Sequence, residues 1–249
     1  MARVALLPVV LLFMVFARVA GAEPVTLTAD DGVKVHGEFW PAANAKAPLI
    51  LAFHQAGSSR AEYAPLAPRL NQAGFSVLAI DQRSGGDEFG GSNQTVAALG
   101  RSTAYAAALP DLEAALAWGR AKAQGAPVLV WGSSYSAALV FLLAAAHPGD
   151  VQAVLAFSPG EYLGTSGAVR KAAQSVRVPV FITQSSDKDE ISASRTILAA
   201  IPGTSKTLFV AAKNGVHGSA TLRADRNAAG AEQNWAAVLA FLAKFKAPQ

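Results

Sequence analysis

A pair of serines between two apolar segments is the first feature that could do chemistry. Residues 128–131 have the composition of a buried strand, and the alanine-rich residues 136–146 that of a helix. Gly132-Ser133-Ser134-Tyr135 joins them. A serine on a tight turn between a strand and a helix exposes its hydroxyl, and the first N–H groups of the helix point at the same spot. The N–H of Tyr135 would then stabilise the oxyanion formed when the serine attacks a carbonyl carbon.

Ser134 is the better nucleophile candidate of the two. A strand and a helix that approach closely need small residues two positions before and two after the nucleophile. Around Ser134 these are Gly132 and Ser136, whereas Ser133 would have the bulky Trp131 two positions before it. The alternative is that Ser134 is an ordinary helix N-cap, a position that serine favours. The strand, turn and helix context favours the nucleophile.

A serine hydroxyl needs a base to take its proton, and histidine has the appropriate pKa. The sequence holds four histidines. His147 ends the helix that Ser134 begins, which places it about 18 Å away at the opposite end of the sheet. His36 belongs to the first strands and His54 to a loop near the third strand. His217, in a loop after the last predicted strand, therefore remains as the base.

The rest of the chain alternates short β-branched runs with helical stretches, a pattern typical of a mostly parallel sheet covered by helices on both faces. We predict an opening hairpin over 25–28 and 33–40, joined by an Asp-Asp-Gly turn. The other predicted strands are 49–53, 76–80, 128–131, 153–157, 180–183 and 207–210. The predicted helices are 61–72, 105–122, 136–146, 191–200 and 234–245. The fold class is α/β.

Three motifs resemble those of the α/β-hydrolase superfamily, and most closely its dienelactone-hydrolase-like branch. Gly132-x-Ser134-x-Ser136 resembles the G-x-S-x-G elbow, with Ser136 in place of the second glycine. Phe53-His54-Gln55-Ala56-Gly57 resembles the H-G-x-x-G oxyanion loop, and Asp81-Gln82-Arg83-Ser84-Gly85-Gly86 resembles the D-x-R-x-x-G turn. The resemblance implies an α/β-hydrolase fold with eight strands and an antiparallel N-terminal hairpin. Because the connection between residues 157 and 178 is short, we expect no large cap.

The resemblance also assigns roles to particular residues. It implies the chain order serine, acid, histidine, with the acid after the strand 180–183. Asp189 matches the usual place best and would orient the His217 imidazole. Asp187 is an alternative, and a third reading is that these carboxylates merely favour the start of a helix.

The second oxyanion donor implied by the resemblance is the N–H of Ala56, with that of Gln55 as the neighbouring possibility. His54 is then structural, bracing the loop. Dienelactone hydrolases proper use a cysteine nucleophile, so their lactone substrate does not carry over. A carboxylic ester hydrolase is the safer expectation.

Composition excludes several classes of function. The chain has 249 residues, 52% of them hydrophobic and 15% charged, which suits one large core. No cysteine is present, which excludes disulfides and thiolate chemistry. Lysine and arginine form no cluster, so we expect no nucleic-acid partner. Neither a metal motif nor a nucleotide motif occurs, and we therefore expect no cofactor.

Residues 1–22 are typical of a secretory signal peptide. Arg3 precedes an apolar run, and Ala20-Gly21-Ala22 resembles a cleavage site, which predicts a hydrolase domain over 23–249. Arg18 interrupts the run before it reaches the length of a membrane span, so we expect no stable span after cleavage. Without Arg3 and Arg18 the formal net charge falls from +4 to +2. The protein would be periplasmic or secreted.

The sequence thus predicts an exported serine hydrolase of small esters or lactones that works through an acyl-enzyme on Ser134. One alternative keeps the triad but cleaves peptides or amides. Another is a non-catalytic binding protein with the same fold.

Overall fold

A computed structural model describes residues 21–246 of the chain. The predicted signal peptide, residues 1–22, therefore lies almost wholly outside the described residues. Within residues 21–246, no helix is both long and apolar enough to span a bilayer.

Eight strands form one sheet in the order β1-β2-β4-β3-β5-β6-β7-β8. They are β1 (Glu23–Thr28), β2 (Lys34–Trp40), β3 (Leu49–Phe53), β4 (Ser76–Ile80), β5 (Val128–Ser133), β6 (Ala153–Phe157), β7 (Val180–Thr183) and β8 (Lys206–Phe209). The hairpin β1–β2 and the pair β2–β4 are antiparallel, and every other pair is parallel. The eight predicted strands and the opening hairpin are confirmed.

Seven α-helices lie within the described part of the chain. They are α1 (Ala67–Gln72), α2 (Gln94–Leu99), α3 (Leu109–Ala123), α4 (Tyr135–Ala146), α5 (Ala168–Ala173), α6 (Lys188–Ala200) and α7 (Ala231–Leu242). Only the six-residue α5 lies between β6 and β7, so the expected absence of a large cap there is confirmed.

Successive residues of a strand point to opposite faces of the sheet, so a strand buried on both faces is apolar throughout. In β3, Leu49, Leu51 and Phe53 pack on one face, in the cluster that includes residues of α3 to α6. Ile50 and Ala52 pack on the other face, in the cluster that includes residues of α1 and α7. The sheet is therefore the middle layer of three.

Prolines account for two differences from the predicted helices. The helix predicted over 61–72 is a short 3-10 helix, Arg60–Glu62, followed by α1, which begins at Ala67 with Pro68 in its first turn. Proline lacks an N–H and is tolerated only at a helix start. Pro110 stands likewise in the first turn of α3. A further difference is α2, which is not among the predicted helices; its N-terminus is capped by the Asn93 side chain.

Candidate active site

Ser134 occupies a strained turn between β5 and α4. Its backbone angles are φ 56° and ψ −119°, a region that side-chain-bearing residues rarely adopt. The turn is fixed on one side by the Ser134 N–H, which donates to the Phe157 carbonyl over 2.8 Å. Strain of this kind persists only where the surrounding structure imposes it, and it is common at functional sites.

The strand and the helix approach each other as closely as the spacing of small residues predicts. A Cβ at Gly132 would lie 2.2 Å from the Ser136 carbonyl oxygen. Ser136 is fully buried, and its hydroxyl donates to the His54 carbonyl over 2.6 Å and accepts from Gln82 Nε2 over 2.8 Å. The hydroxymethyl group that replaces the second glycine of the elbow therefore ties α4 to the loop after β3.

His217 lies beside Ser134, although 83 positions separate them in the sequence. Its Nε2 is 2.8 Å from Ser134 Oγ, and its Nδ1 is 2.8 Å from Glu190 Oε1. The imidazole is therefore hydrogen-bonded at both nitrogens, one to a hydroxyl and the other to a carboxylate. Ser134 is 9% exposed, whereas the His217 side chain is 40% exposed and faces the solvent side of the site.

The carboxylate beside His217 is that of Glu190, and the prediction of Asp189 as its partner is corrected. Asp189 is exposed and lines a groove with Glu161 and Arg170. Both residues belong to the first turn of α6, where consecutive side chains point about 100° apart. Only one of the two can face the histidine, and glutamate has the longer reach.

Asp187, the alternative acid, is occupied elsewhere. It is the N-cap of α6, and its carboxylate accepts the backbone N–H groups of Asp189 and Glu190 over 2.8 and 3.2 Å. The spacing Asp187-x-x-Glu190 is that of a capping box, a signal in the sequence that fixes the helix start at Asp187. That signal would have removed Asp187 from consideration.

An N–H group that binds an oxyanion must have no acceptor within the protein. Within residues 21–246, neither the N–H of Ala56 nor that of Tyr135 donates a hydrogen bond to the protein. The N–H of Gln55, the neighbouring possibility, donates to the Glu62 carboxylate over 2.7 Å. Ala56 and Tyr135 therefore remain the candidates for binding an oxyanion.

His54 is placed as a brace for the oxyanion loop. It is fully buried, its Nδ1 lies 2.8 Å from the Gln55 carbonyl, and its Nε2 accepts the N–H of Gln82 over 2.9 Å. Burial lowers the pKa of His54, which keeps the ring neutral with its proton on Nδ1. The loop after β3 is thereby joined to the turn after β4.

Residues 44–166 match the family model described as serine aminopeptidase, S33. No curated protein matches by sequence. A dienelactone hydrolase from Anabaena variabilis has a similar structure, with a TM-score of 0.70 and 20% identity over 91% of this chain and 99% of that one.

Two esterases are similar to about the same degree. One, from Pyrococcus furiosus, has a TM-score of 0.68 and 19% identity over 91% of this chain and 94% of that one. The other, a cold-adapted esterase from an Arctic intertidal metagenomic library, has a TM-score of 0.67 and 20% identity over the same shares. This chain has the α/β-hydrolase fold. The α/β-hydrolase fold that the motifs imply is therefore confirmed.

The hydrogen bond between His217 and Glu190 shifts the pKa of both side chains. Burial opposes ionisation of Glu190, but the hydrogen bonds of His217, Ser158 and the Ser185 N–H outweigh it and lower the pKa of Glu190 to about 2. The bond to Glu190 raises the pKa of His217 above its usual value, against a smaller opposing effect of burial. The pair can therefore hold a proton on the imidazole once His217 accepts one.

An open pocket of about 350 Å³ lies against His217. Gln55, Phe89 and Val216 contribute to its lining, and Gln55 Nε2 donates to Glu88 over 2.9 Å at its edge. Phe89 is the aromatic residue of this lining. Tyr135 is instead buried, with its ring stacked 4.6 Å from that of Tyr105. Within residues 21–246 no group of acidic or histidine side chains forms a metal-binding cluster.

Proposed function

We propose that this α/β hydrolase cleaves small carboxylic esters or lactones through an acyl-enzyme on Ser134. The observation that carries the proposal is the line Ser134 Oγ, His217 and Glu190, in which both hydrogen bonds measure 2.8 Å. A serine with a base in contact and a carboxylate behind that base is the arrangement that activates a hydroxyl for attack on an acyl carbon.

In the proposed acylation step, Ser134 Oγ forms a bond to the substrate carbonyl carbon while its proton passes to His217 Nε2. Negative charge develops on the carbonyl oxygen, and the N–H groups of Ala56 and Tyr135 donate to it. Glu190 stabilises the imidazolium. The bond between the carbonyl carbon and the leaving oxygen then breaks, and the leaving alkoxide takes the proton from His217.

Deacylation repeats the sequence with water as the nucleophile. His217 accepts a proton from water, the hydroxide oxygen bonds to the acyl carbon, and the bond to Ser134 Oγ breaks. The proton returns to Ser134, and the carboxylic acid leaves. For a lactone the alcohol and the acid are parts of one molecule, so ring opening gives a hydroxy acid. No other co-reactant is needed.

The surroundings of Ser134 favour small substrates. The connection from β6 to β7 carries only α5, which leaves the site without a large cap on that side. The pocket of about 350 Å³, whose lining includes His217 but not Ser134, is at the lower end of the range for ligand sites. The esterases and the dienelactone hydrolase of similar structure support the same class of substrate.

A peptidase or amidase activity is the second candidate, because the matching family model is described as serine aminopeptidase. The proposed triad would serve it equally well. An amide differs in its poorer leaving group, which must be protonated as it departs. The two activities are therefore separated by substrate rather than by site.

The experiment compares hydrolysis of p-nitrophenyl acetate, a simple lactone and an amino-acid p-nitroanilide by the purified protein and its Ser134→Ala variant. Turnover of the ester or lactone that is lost in the variant supports the proposal. Turnover of the anilide alone would favour the peptidase. No turnover of any of the three by the folded protein would favour a non-catalytic role.

We also propose that residues 1–22 direct export and are removed. Mass spectrometry of the protein recovered from the periplasm or medium of an expressing bacterium tests this. A mature chain beginning at Glu23 is the expected result. Retention of the complete chain in the cytoplasm would contradict it.

A further inference from the structure

Glu62 is a buried carboxyl group to which the proposed reaction gives no role. It ends the 3-10 helix Arg60–Glu62 and is fully inaccessible to solvent. Its Oε1 accepts the Ser133 hydroxyl over 2.6 Å, and its Oε2 accepts the Gln55 N–H over 2.7 Å. A buried carboxylate is costly unless it is hydrogen-bonded, and here each oxygen has a donor.

These contacts join the three segments that meet at the nucleophile. Ser133 directly precedes Ser134, and Gln55 directly precedes Ala56. The Ser133 hydroxyl oxygen also accepts the N–H of Ser219 over 2.8 Å, and Ser219 lies two positions after the base. One carboxylate therefore binds the residue before Ser134 and the residue before Ala56 directly, and it reaches the loop of His217 through the Ser133 hydroxyl.

The hydrogen-bonded groups around Glu62 and Ser133 are packed so closely that one of them cannot move without displacing its neighbours. A Cβ at Gly218 would lie only 2.5 Å from Ser133 Oγ and 2.8 Å from Gln55 Oε1. Ser219 Oγ in turn accepts the indole N–H of Trp131 over 2.9 Å. This bond holds Ser219 in place. Close-packed interiors transmit such shifts to their neighbours.

We propose that Glu62 is a positioning residue whose ionised carboxylate holds the Gln55–Ala56 peptide and Ser133, so that the Ala56 N–H and the Ser134 hydroxyl meet one substrate carbonyl. This rests on the function proposed above for Ser134. The carboxylate touches no substrate. It acts through the two groups that it binds.

The charges around Glu62 make its ionisation responsive to pH. Burial raises the pKa of Glu62 to about 7, although the hydrogen bonds from Ser133 and Gln55 and the positive charges of Arg223 and His217 work against the rise. The other titratable groups that face it are Tyr63 and Tyr135, and burial keeps the pKa of each well above its usual value.

Both tyrosines are therefore neutral near pH 7. A proton on either oxygen of Glu62 would deprive Ser133 or Gln55 of its acceptor. The two hydrogen bonds that Glu62 accepts from Ser133 and Gln55 are therefore not both kept as the pH falls.

Two variants test the proposal because they shift the pH profile in opposite directions. Glu62→Gln removes a negative charge that raises the pKa of His217, so the acid limb of kcat/KM moves to lower pH and becomes less steep. Ser133→Ala removes a hydrogen bond that lowers the pKa of Glu62, so the limb moves to higher pH. Misplaced reacting groups reduce kcat by about 10- to 100-fold in Glu62→Gln, with KM nearly unchanged.

The profiles are measured with p-nitrophenyl acetate, beside Glu232→Gln as a matched control. Glu232 pairs with Arg69 on the surface, and its variant should retain the profile of the unaltered protein. Opposite shifts support the proposal. A fall in kcat without any shift would indicate a merely structural Glu62 and overturn it, as would unchanged kinetics.

If Glu62→Gln fails to fold, the direction of the shift in Ser133→Ala decides alone. An unaltered protein that hydrolyses no ester would overturn the proposed function together with this inference. An active protein whose variants show no shift would overturn the role of Glu62 only.

Discussion

Replacing Glu190 by glutamine tests the assignment of the carboxylate behind His217. The carboxylate accepts the Nδ1 proton over 2.8 Å and faces the positive charge that forms when Ser134 gives up its proton. A carboxamide is neutral and can present its NH₂ group to Nδ1, which favours the wrong imidazole tautomer. The loss should therefore appear in kcat.

The size of the loss follows from the geometry. Two unit charges about 4 Å apart interact by about 4 kcal/mol where the effective dielectric constant is near 20. The His217 side chain is 40% exposed and that of Glu190 22% exposed, so solvent screening lowers the interaction to about 2–3 kcal/mol. With about 1.36 kcal/mol for each factor of ten, kcat should fall about 30- to 160-fold.

Steady-state hydrolysis of p-nitrophenyl acetate by Glu190→Gln, Asp189→Asn and the unaltered protein provides the assay. Asp189→Asn is the matched control, since it removes the neighbouring, exposed carboxylate of the same helical turn. We expect its kcat to stay within about twofold, as for a surface change away from the chemistry. A large loss in Asp189→Asn with full activity in Glu190→Gln would refute the reasoning.

Three further predictions concern pH and stability. His217 must be neutral to act as a base, and Glu190 raises its pKa. In a pH series, kcat/KM should therefore fall with decreasing pH with a midpoint above about 6.5, and a lower midpoint would contradict this. Gly132→Ala places a Cβ 2.2 Å from a backbone oxygen and should prevent folding or lower the free energy of unfolding by several kcal/mol, measured in urea; a stable variant would count against the close approach. Arg83→Met leaves the fully buried Asp111 without its ion-pair partner and should lower the free energy of unfolding by about 3–5 kcal/mol in the same assay. The double variant Arg83→Met with Asp111→Leu should recover much of that free energy; equal losses in the two variants would show that the pair is not coupled.

The sheet was predictable because its strands are short, continuous apolar runs bounded by turn residues. Leu49–Phe53 and Ala153–Phe157 are buried at every position, and that pattern is visible in the sequence. The placement of Ser134 followed from the same logic, because a tight turn between such a strand and a helix requires a small residue at Gly132.

The acid was not predictable with the same reasoning. Three carboxylates lie within four positions, and the choice among them depends on the rotation of α6 and on one methylene of side-chain length. Only the N-cap at Asp187 carries a signal in the sequence. The resemblance favoured Asp189, one position from the residue that the structure places beside His217.

Glu62 illustrates a second limit. Its neighbours in the sequence are Ala61 and Tyr63, and no periodicity marks it as buried. Its environment is created by Gln55, Ser133 and Ser219, which come together only when the sheet is assembled. Long-range packing of this kind leaves no local pattern to find.

The most direct test of the central claim is mass spectrometry after treatment with a fluorophosphonate, which reacts with activated serines. The purified protein is treated beside Ser134→Ala and His217→Ala variants under the same conditions. We predict one adduct, on Ser134, in the unaltered protein and none in either variant. A folded, unaltered protein without an adduct, or with its adduct on Ser133, would contradict the account.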